Sequence, residues 1–291
     1  MLKRDTVVFI VCTATGLLPT RSGADVSAQI GAGGATVHEW GTFTTVAGED
    51  GRAVDWLPLS GPVDLPCFVY HFQNDPLIKV SVGTRRLDYN EARSHLWGRV
   101  RMETPVLYFY APHDLTVNVR VDFSRGLMTE WYPQALVSQV VISPDVLRDP
   151  SQSSIIEWRD VRITPGAAQP LPRDIGKSHY YAARETDAST VTVNDQSERF
   201  LFYRGVADFD VPLSVEVLGS SIRINNLGTD ELTGVILFEN RGGRIGHRVL
   251  GTVVGERSSE TPSLDGSLAS LRSDLERLLV KAGLYPAEAR A

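Results

Sequence analysis

Alternation of apolar and polar residues is clearest between positions 115 and 123. The odd-numbered positions are Leu, Val, Val, Val and Phe, and the even-numbered ones are Thr, Asn, Arg and Asp. This period of two predicts a strand with one buried face, and residues 155–163 repeat the pattern. The run VLYFY at 106–110 is apolar throughout, which is typical of a central strand covered on both faces.

Shorter apolar runs, separated by glycine- and proline-rich turns, predict many further strands. Two hairpins are expected, one over 37–57 through the turn at 48–51 and one joining 234–240 to 244–253. The remaining short strands are expected at 78–82, 127–131, 179–183, 190–193, 200–204, 213–217 and 222–225. Short strands at this spacing predict a mainly β fold, an antiparallel β-sandwich built as one large or two small sandwiches.

The end of the chain has a helical pattern instead. Leucines from Leu264 to Leu279 recur on one helical face, Asp265 or Ser267 can cap the start, and Gly283 marks the stop. Pro286 then stands where a second helix begins, and the sequence ends about one turn later. We therefore expect a C-terminal α-helical segment that is truncated.

The first 28 residues have the pattern of a signal peptide. Lys3 and Arg4 form a positive region, residues 6–18 are apolar, and Ala28 follows a small-residue cleavage pattern. The apolar run is shorter than the roughly 20 residues that a spanning helix needs. We expect an exported protein, periplasmic, cell-surface or secreted, with no transmembrane span after cleavage.

Turn-rich stretches divide the mature chain. A flexible leader at 29–36 precedes a first β region at 37–163, and a Pro/Gly-rich linker follows at 164–176. A second β region covers 177–262, and the C-terminal helix with the start of a second helix covers 263–291.

Composition excludes two broad classes of protein. Hydrophobic residues make up 42% of the 291 residues and charged ones 22%, which excludes wholesale disorder. The net charge of −6 leaves no basic footprint, which argues against a nucleic-acid partner. Only Cys67 remains after cleavage, and its apolar neighbours in DLPCFVY predict a buried, inert thiol.

No catalytic, metal or cofactor motif of known spacing is present, so we expect neither a cofactor nor a metal ion. The densest candidate is HEWGTFT at 38–44. On a regular strand His38 and Glu39 point to opposite faces, unless a bulge near Gly41 re-aims one of them. The alternative is a core-facing Trp40 beside a hydrogen-bonded His38.

Three glutamates form a second group, since Glu103, Glu130 and Glu239 each lie at or near the end of a predicted strand. They are candidates for general acid–base chemistry on a glycoside, and together with His38, Glu39 and His179 they are the candidates for a metal-assisted or carboxylate-based hydrolase. The alternative is that each carboxylate pairs with an arginine, for instance Arg101, Arg204 and Arg241.

Aromatic pairs form a third group. Trp131, Tyr132, Tyr180 and Tyr181 combine flat rings with polar tips, which suits sugar or peptide binding if they are exposed. Rings on strands are also typical core residues.

Several segments resemble a family of exported bacterial proteins that carries the HEWGTFT motif: LWGRVRMETPVLYFYAP, TEWYP, KSHYYAAR, FLFYRGV, ILFENRGGR and the leucine-rich C-terminal stretch. The resemblance covers 36–291. It implies export, but it brings no established activity, substrate or cofactor, so no residue role is carried over. Members of that family continue past EARA through a Trp-rich helical stretch, which agrees with a truncated end.

Three functions stay open at this stage. The first is a non-enzymatic module that binds a glycan or another cell-envelope partner, resting on the all-β pattern, the aromatic pairs and the missing catalytic motif. The second is a hydrolase using the His/Glu candidates. The third is a structural envelope-assembly protein, because an apolar helix stripe needs a companion. The sequence does not indicate an oligomeric state.

Overall fold

The computed structural model describes residues 6–10, 24–29, 34–74, 81–82, 84–103, 105–139, 149 and 152–291. The strands, numbered along the chain, are β1 (Thr6–Ile10), β2 (Ala24–Gln29), β3 (Thr36–Trp40), β4 (Phe43–Thr44), β5 (Tyr70–His71), β6 (Ser81–Val82), β7 (Arg85–Arg86), β8 (Val100–Met102), β9 (Val106–Tyr110), β10 (Leu115–Ser124), β11 (Gly126–Tyr132), β12 (Leu136–Gln139), β13 (Ser153–Thr164), β14 (Thr190–Val193), β15 (Gln196–Glu198), β16 (Leu201–Ala207), β17 (Leu213–Leu218), β18 (Ser221–Asn226), β19 (Leu232–Arg241), β20 (Arg244–Val253) and β21 (Glu256–Glu260). The α-helices are α1 (Tyr89–Ser94), α2 (Leu268–Lys281) and α3 (Pro286–Arg290), and 3-10 turns cover Phe72–Asn74 and His179–Arg184.

The chain divides into two compact units. The first comprises Met1–Thr15, Val46–Val54 and Asp210–Arg290, and the second comprises Gly16–Thr45, Asp55–Phe209 and Ala291. The predicted linker at 164–176 lies within the second unit, between β13 and β14, and these two strands pair with each other from Thr164 opposite Thr190.

The second unit contains two large antiparallel sheets and the small two-stranded sheet β6-β7. One large sheet has the order β15-β14-β13-β10-β2 with β12 also on β13, and the other has the order β3-β9-β16-β11-β5 with β8 on β16 and β4 on β8. The two large sheets pack face to face. The ring centres of Trp158 on β13 and Tyr203 on β16 lie 6.3 Å apart, and the Ser154 hydroxyl of β13 donates to the Gly126 carbonyl of β11 at 2.8 Å. The mainly β, antiparallel sandwich is confirmed.

The two strongest sequence patterns predicted their strands correctly. β9 lies between β3 and β16 and is buried over all but its last residue, as an apolar run predicts. β10 alternates between buried and exposed positions and pairs with β13. The hairpin expected over 37–57 is wrong, because β3 pairs with β9 and β4 with β8, leaving only one bridge from Ala47 to Ala53.

The strand expected at 179–183 is also wrong. This segment forms the 3-10 turn His179–Arg184, and Ser178 caps its start by accepting a hydrogen bond from the Tyr180 N–H at 3.1 Å. Such a serine offers the backbone a local partner that competes with sheet pairing.

The first unit contains a sheet of order β1-β19-β20 and another of order β17-β18-β21. The hairpin β19–β20 is confirmed, and Gly242 and Gly243 take positive φ angles of 59° and 83° at its turn. Its core cluster contains Ile222, Ile224, Leu232, Val235, Leu237, Leu250 and Val253.

The C-terminal helices follow the predicted signals. Ser267 caps α2, Gly283 follows it with φ of 112°, and Pro286 is the first residue of α3. α2 lies against β20, where the His247 Nε2 is 2.8 Å from the Asp274 Oδ2. The helix therefore has a partner within its own unit.

Most of the predicted export segment lies outside the described residues. Two parts of it are described: β1 pairs with β19, and β2 pairs with β10. Cleavage after Ala28 would remove all of β1 and all of β2 except Gln29, which would leave β19 and β10 at sheet edges. Among the described helices, none has the length and apolar character needed to cross a bilayer.

Candidate functional site

A buried ion pair joins two neighbouring strands of the second unit. Glu130 of β11 lies opposite Arg204 of β16 in the sheet register, and each residue is 1% exposed. The Arg204 Nε donates to Glu130 Oε2 at 2.8 Å, and its Nη2 donates to Oε1 at 3.2 Å. This fork of two parallel hydrogen bonds is the strongest geometry available to an arginine and a carboxylate.

Two hydroxyls complete the coordination of the carboxylate. The Tyr89 hydroxyl donates to Glu130 Oε1, and the Thr129 hydroxyl donates to Oε2. Tyr89 is the first residue of α1, whose start is fixed by a capping box between Asp88 and Glu91. Because every Glu130 oxygen has two donors, the buried charge is fully satisfied.

The network reaches the surface through an aspartate. The Arg204 Nη1 donates to Asp64 Oδ1 at 3.3 Å, and the Asp64 side chain is 48% exposed. We call Arg204, Glu130, Thr129, Tyr89 and Asp64 the Arg204 network. It runs from the sheet to a carboxylate in contact with solvent.

Two further side chains flank this network. His71 stacks on the Tyr89 ring with centroids 4.0 Å apart and planes 19° apart. Arg101 lies in the electric field of Asp64, Glu130 and Arg204, and its Nη2 is 3.0 Å from the Glu103 Oε2.

Charge pairing sets the protonation state of the network. Burial alone would raise the pKa of Glu130, but the charge of Arg204 and the hydrogen bonds from Arg204, Thr129 and Tyr89 lower that pKa to about 2. Burial, reinforced by Glu130, raises the pKa of Tyr89, and burial lowers the pKa of His71. Glu130 is therefore ionised and Tyr89 protonated at neutral pH.

Arg93 stands beside the Arg204 network on α1 and is 3% exposed. Its Nη1 donates to the Gly61 carbonyl at 2.6 Å, and its guanidinium carbon lies 5.9 Å from the centre of the Tyr89 ring. Its Nε and Nη2 are buried and have no hydrogen-bond partner within the described part of the chain.

The three candidate glutamates are each paired with an arginine, as the alternative reading predicted. Glu103 pairs with Arg101 at 3.0 Å, Glu130 with Arg204 at 2.8 Å, and Glu239 with Arg241. Glu103 and Glu130 share the neighbourhood of Arg101 in the second unit, whereas Glu239 belongs to the first unit.

The other catalytic candidates have separate surroundings. The His38 ring lies 5.6 Å from Tyr110, Glu39 accepts a hydrogen bond from the Tyr203 hydroxyl, and His179 is exposed. Within the described ranges, no group of three or more His, Cys, Asp or Glu side chains is placed to hold a metal ion.

Three of the four aromatic binding candidates are core residues. Trp131, Tyr132 and Tyr180 are 3–4% exposed, as the alternative of core rings predicted, so these three cannot form the exposed binding surface that they were candidates for. Their apolar area is worth more inside the sandwich than in water. Tyr181 is half-buried, and its ring lies 5.0 Å from the Arg184 guanidinium carbon and 5.4 Å from that of Arg173.

Cys67 is exposed, which corrects the prediction of a buried thiol. Its neighbours Pro66 and Val69 are buried, so the apolar segment contributes other residues to the core. The Cys67 N–H donates to the Asp174 Oδ2 at 2.9 Å.

Sequence reasoning identified Glu130 and Arg204 but missed Asp64, His71, Tyr89 and Arg93. These four lie in loops, in a two-residue strand and in a one-and-a-half-turn helix, and no spacing in the sequence marks their meeting. Known proteins offer no guide: no protein-family model, curated protein or solved structure matches the chain.

Proposed function

We propose that this protein is an exported, non-enzymatic module that binds a glycan of the cell envelope at the outer end of the Arg204 network. The observation that carries the proposal is the support given to Asp64. Its exposed carboxylate is held by Arg204, which is itself immobilised by Glu130. A polar group fixed before binding loses little conformational freedom when a ligand arrives.

The chemistry around Asp64 suits a sugar. Neighbouring sugar hydroxyls donate to a fixed carboxylate, and the C–H face of a sugar ring packs on an aromatic ring. The stacked pair His71 and Tyr89 is half-buried and joins the same network through Glu130. The ring surface of His71 and Tyr89 and the fixed carboxylate of Asp64 are thus linked through the Arg204 network.

The state of Glu130 argues against its acting as a general acid. A general acid for glycoside cleavage needs a raised pKa, so that it carries a proton near neutral pH. The pKa of Glu130 is instead lowered to about 2, with burial outweighed by Arg204 and three sets of hydrogen bonds. Such a carboxylate serves to hold Arg204.

Export of the module is supported by the N-terminal pattern alone. The positive start, the apolar run over 6–18 and the small residues before Ala28 favour a periplasmic, cell-surface or secreted location. Envelope glycans are the polymers that such a protein meets.

The test is co-sedimentation of the full chain with insoluble envelope polysaccharide. Wild-type protein should pellet with the polysaccharide, and Asp64→Asn should weaken the association about 10-fold, the effect of losing one charged hydrogen bond. The matched control is Asp187→Asn, since Asp187 is an exposed aspartate of the same unit. Equal binding by wild type and Asp64→Asn would refute the site. Release of reducing ends that Glu130→Gln abolishes would replace the module by a hydrolase.

A further inference from the structure

Two arginines of the second unit, the buried Arg204 and the partly buried Arg184, use the same edge of the guanidinium. Nε and Nη2 of Arg204 face the two oxygens of Glu130 at 2.8 and 3.2 Å. Nε and Nη2 of Arg184 face the two oxygens of Glu198 at 2.9 and 2.6 Å. The spacing of these two nitrogens matches the spacing of two carboxylate oxygens.

Arg93 is also buried, but the residues that the structure describes provide no carboxylate for this edge. Its Nη1 is engaged by the Gly61 carbonyl and its face lies toward Tyr89, so the guanidinium has a fixed orientation. Nε and Nη2 are the two nitrogens without a partner in the described structure. A buried charge with unmet donors is strongly unfavourable unless an opposite charge binds it.

We propose that Arg93 binds a carboxylate of the ligand, so that the glycan recognised here is an acidic one built from uronic acid units. The inference rests on the proposed function and specifies its ligand class. A neutral hydroxyl could meet the hydrogen bonds of Nε and Nη2, but only an anion also meets the charge.

One loop connects the partner of Arg93 to Asp64. Gly61, whose carbonyl holds Arg93, precedes Asp64 by three residues, and Asp64 is held by Arg204. The carboxylates nearby are committed, because Glu130 pairs with Arg204 and Glu103 with Arg101. A sugar acid would place its carboxylate on Arg93 and donate a hydroxyl to Asp64.

The first test measures binding of the full chain by calorimetry. The probe is a D-galacturonate trimer, and the D-galactose trimer is its neutral counterpart. Wild type should bind the acidic trimer, and Arg93→Met should weaken that binding about 10- to 100-fold, as expected for a charged pair of hydrogen bonds. The control is Arg86→Met, because Arg86 is exposed in the same unit.

The second test needs no ligand. Arg93→Met removes two buried donors without a partner, but it also removes the hydrogen bond to the Gly61 carbonyl, so its urea midpoint should stay close to that of the wild type. Arg204→Met strands Glu130 and should lower the midpoint markedly. An Arg93→Met variant as unstable as Arg204→Met would overturn the inference, because Nε and Nη2 of Arg93 would then be satisfied within the fold.

The outcomes separate the two proposals. Binding of the galactose trimer alone would overturn the acidic ligand and leave the glycan module standing. Acidic binding that survives Arg93→Met would overturn the role of Arg93. Arg93-dependent binding of a short peptide through its terminal carboxylate, with no sugar binding, would overturn the glycan. Binding of none of the three probes would overturn the acidic ligand together with the carboxylate site.

Discussion

Replacing Glu130 with leucine should destabilise the second unit by about 4 kcal/mol. The change leaves Arg204 buried with one remaining counter-ion, the half-exposed Asp64, and it removes the acceptor for Tyr89 and Thr129. Removing one partner of a buried pair costs about 3–5 kcal/mol, since the other charge stays in the interior without compensation.

The double variant Glu130→Leu with Arg204→Met gives the sharper measurement. Both charges then leave the interior together, so we expect a loss of about 2 kcal/mol, well below the sum of the two single variants. Glu103→Leu is the control, because its pair with Arg101 is only partly buried, with side chains 29% and 17% exposed, and its loss should cost clearly less than that of Glu130→Leu.

Urea unfolding followed by tryptophan fluorescence isolates the second unit. All 5 tryptophans, at positions 40, 56, 97, 131 and 158, lie within it. A loss below about 1 kcal/mol for Glu130→Leu, or single-variant losses that simply add in the double variant, would refute the description of a coupled buried pair.

Three further predictions test other parts of the structure. The pKa of Glu130 is about 2 in the folded protein and near 4.5 in the unfolded chain. The free energy of unfolding should therefore be at its full value above pH 4.5 and fall by about 3 kcal/mol toward pH 2. Acid titration of the double variant should show a smaller fall in this free energy, and an identical fall would contradict the assignment. Gly205→Ala should lower the free energy of unfolding by about 3 kcal/mol, since the added Cβ would lie 2.2 Å from the Leu127 carbonyl oxygen. Gly255→Ala is the control, because its added Cβ would have nothing within 4 Å. Equal melting temperatures of the two variants would count against the close approach at Gly205. Cys67 should react with a disulfide reagent in the folded protein, measured in a Cys12→Ser background; a thiol that reacts only after unfolding would show that it is buried.

Local patterns predicted the elements whose signal is contained in a few consecutive residues. β9, β10, the β19–β20 hairpin and the start and stop of α2 each follow from period, turn or cap. The expected hairpin at 37–57 failed for the opposite reason. β3 and β9 have paired across about seventy residues of chain, and no local pattern encodes that choice.

Only the ion pair at the centre of the site, Glu130 with Arg204, was predictable from the sequence. Glu103, Glu130 and Glu239 each meet an arginine, because a buried carboxylate is stable only with an opposite charge. Arg93 and Tyr89 carry no signal in the sequence, since their importance comes from what lies beside them after folding. The aromatic pairs likewise carry no signal for exposure in the sequence. Trp131 and Tyr180 are buried because their apolar area favours the core.

The position of β16 has a consequence for how the protein is made. This strand pairs with β8, β9 and β11, all of which come earlier in the chain. A polypeptide growing from the ribosome therefore carries the apolar strand β9 with an open edge until residue 207 has emerged. Long-range pairing of this kind is slow and exposes the nascent chain to aggregation. Over that interval the nascent chain needs protection from association with other chains, because its central sheet cannot yet close.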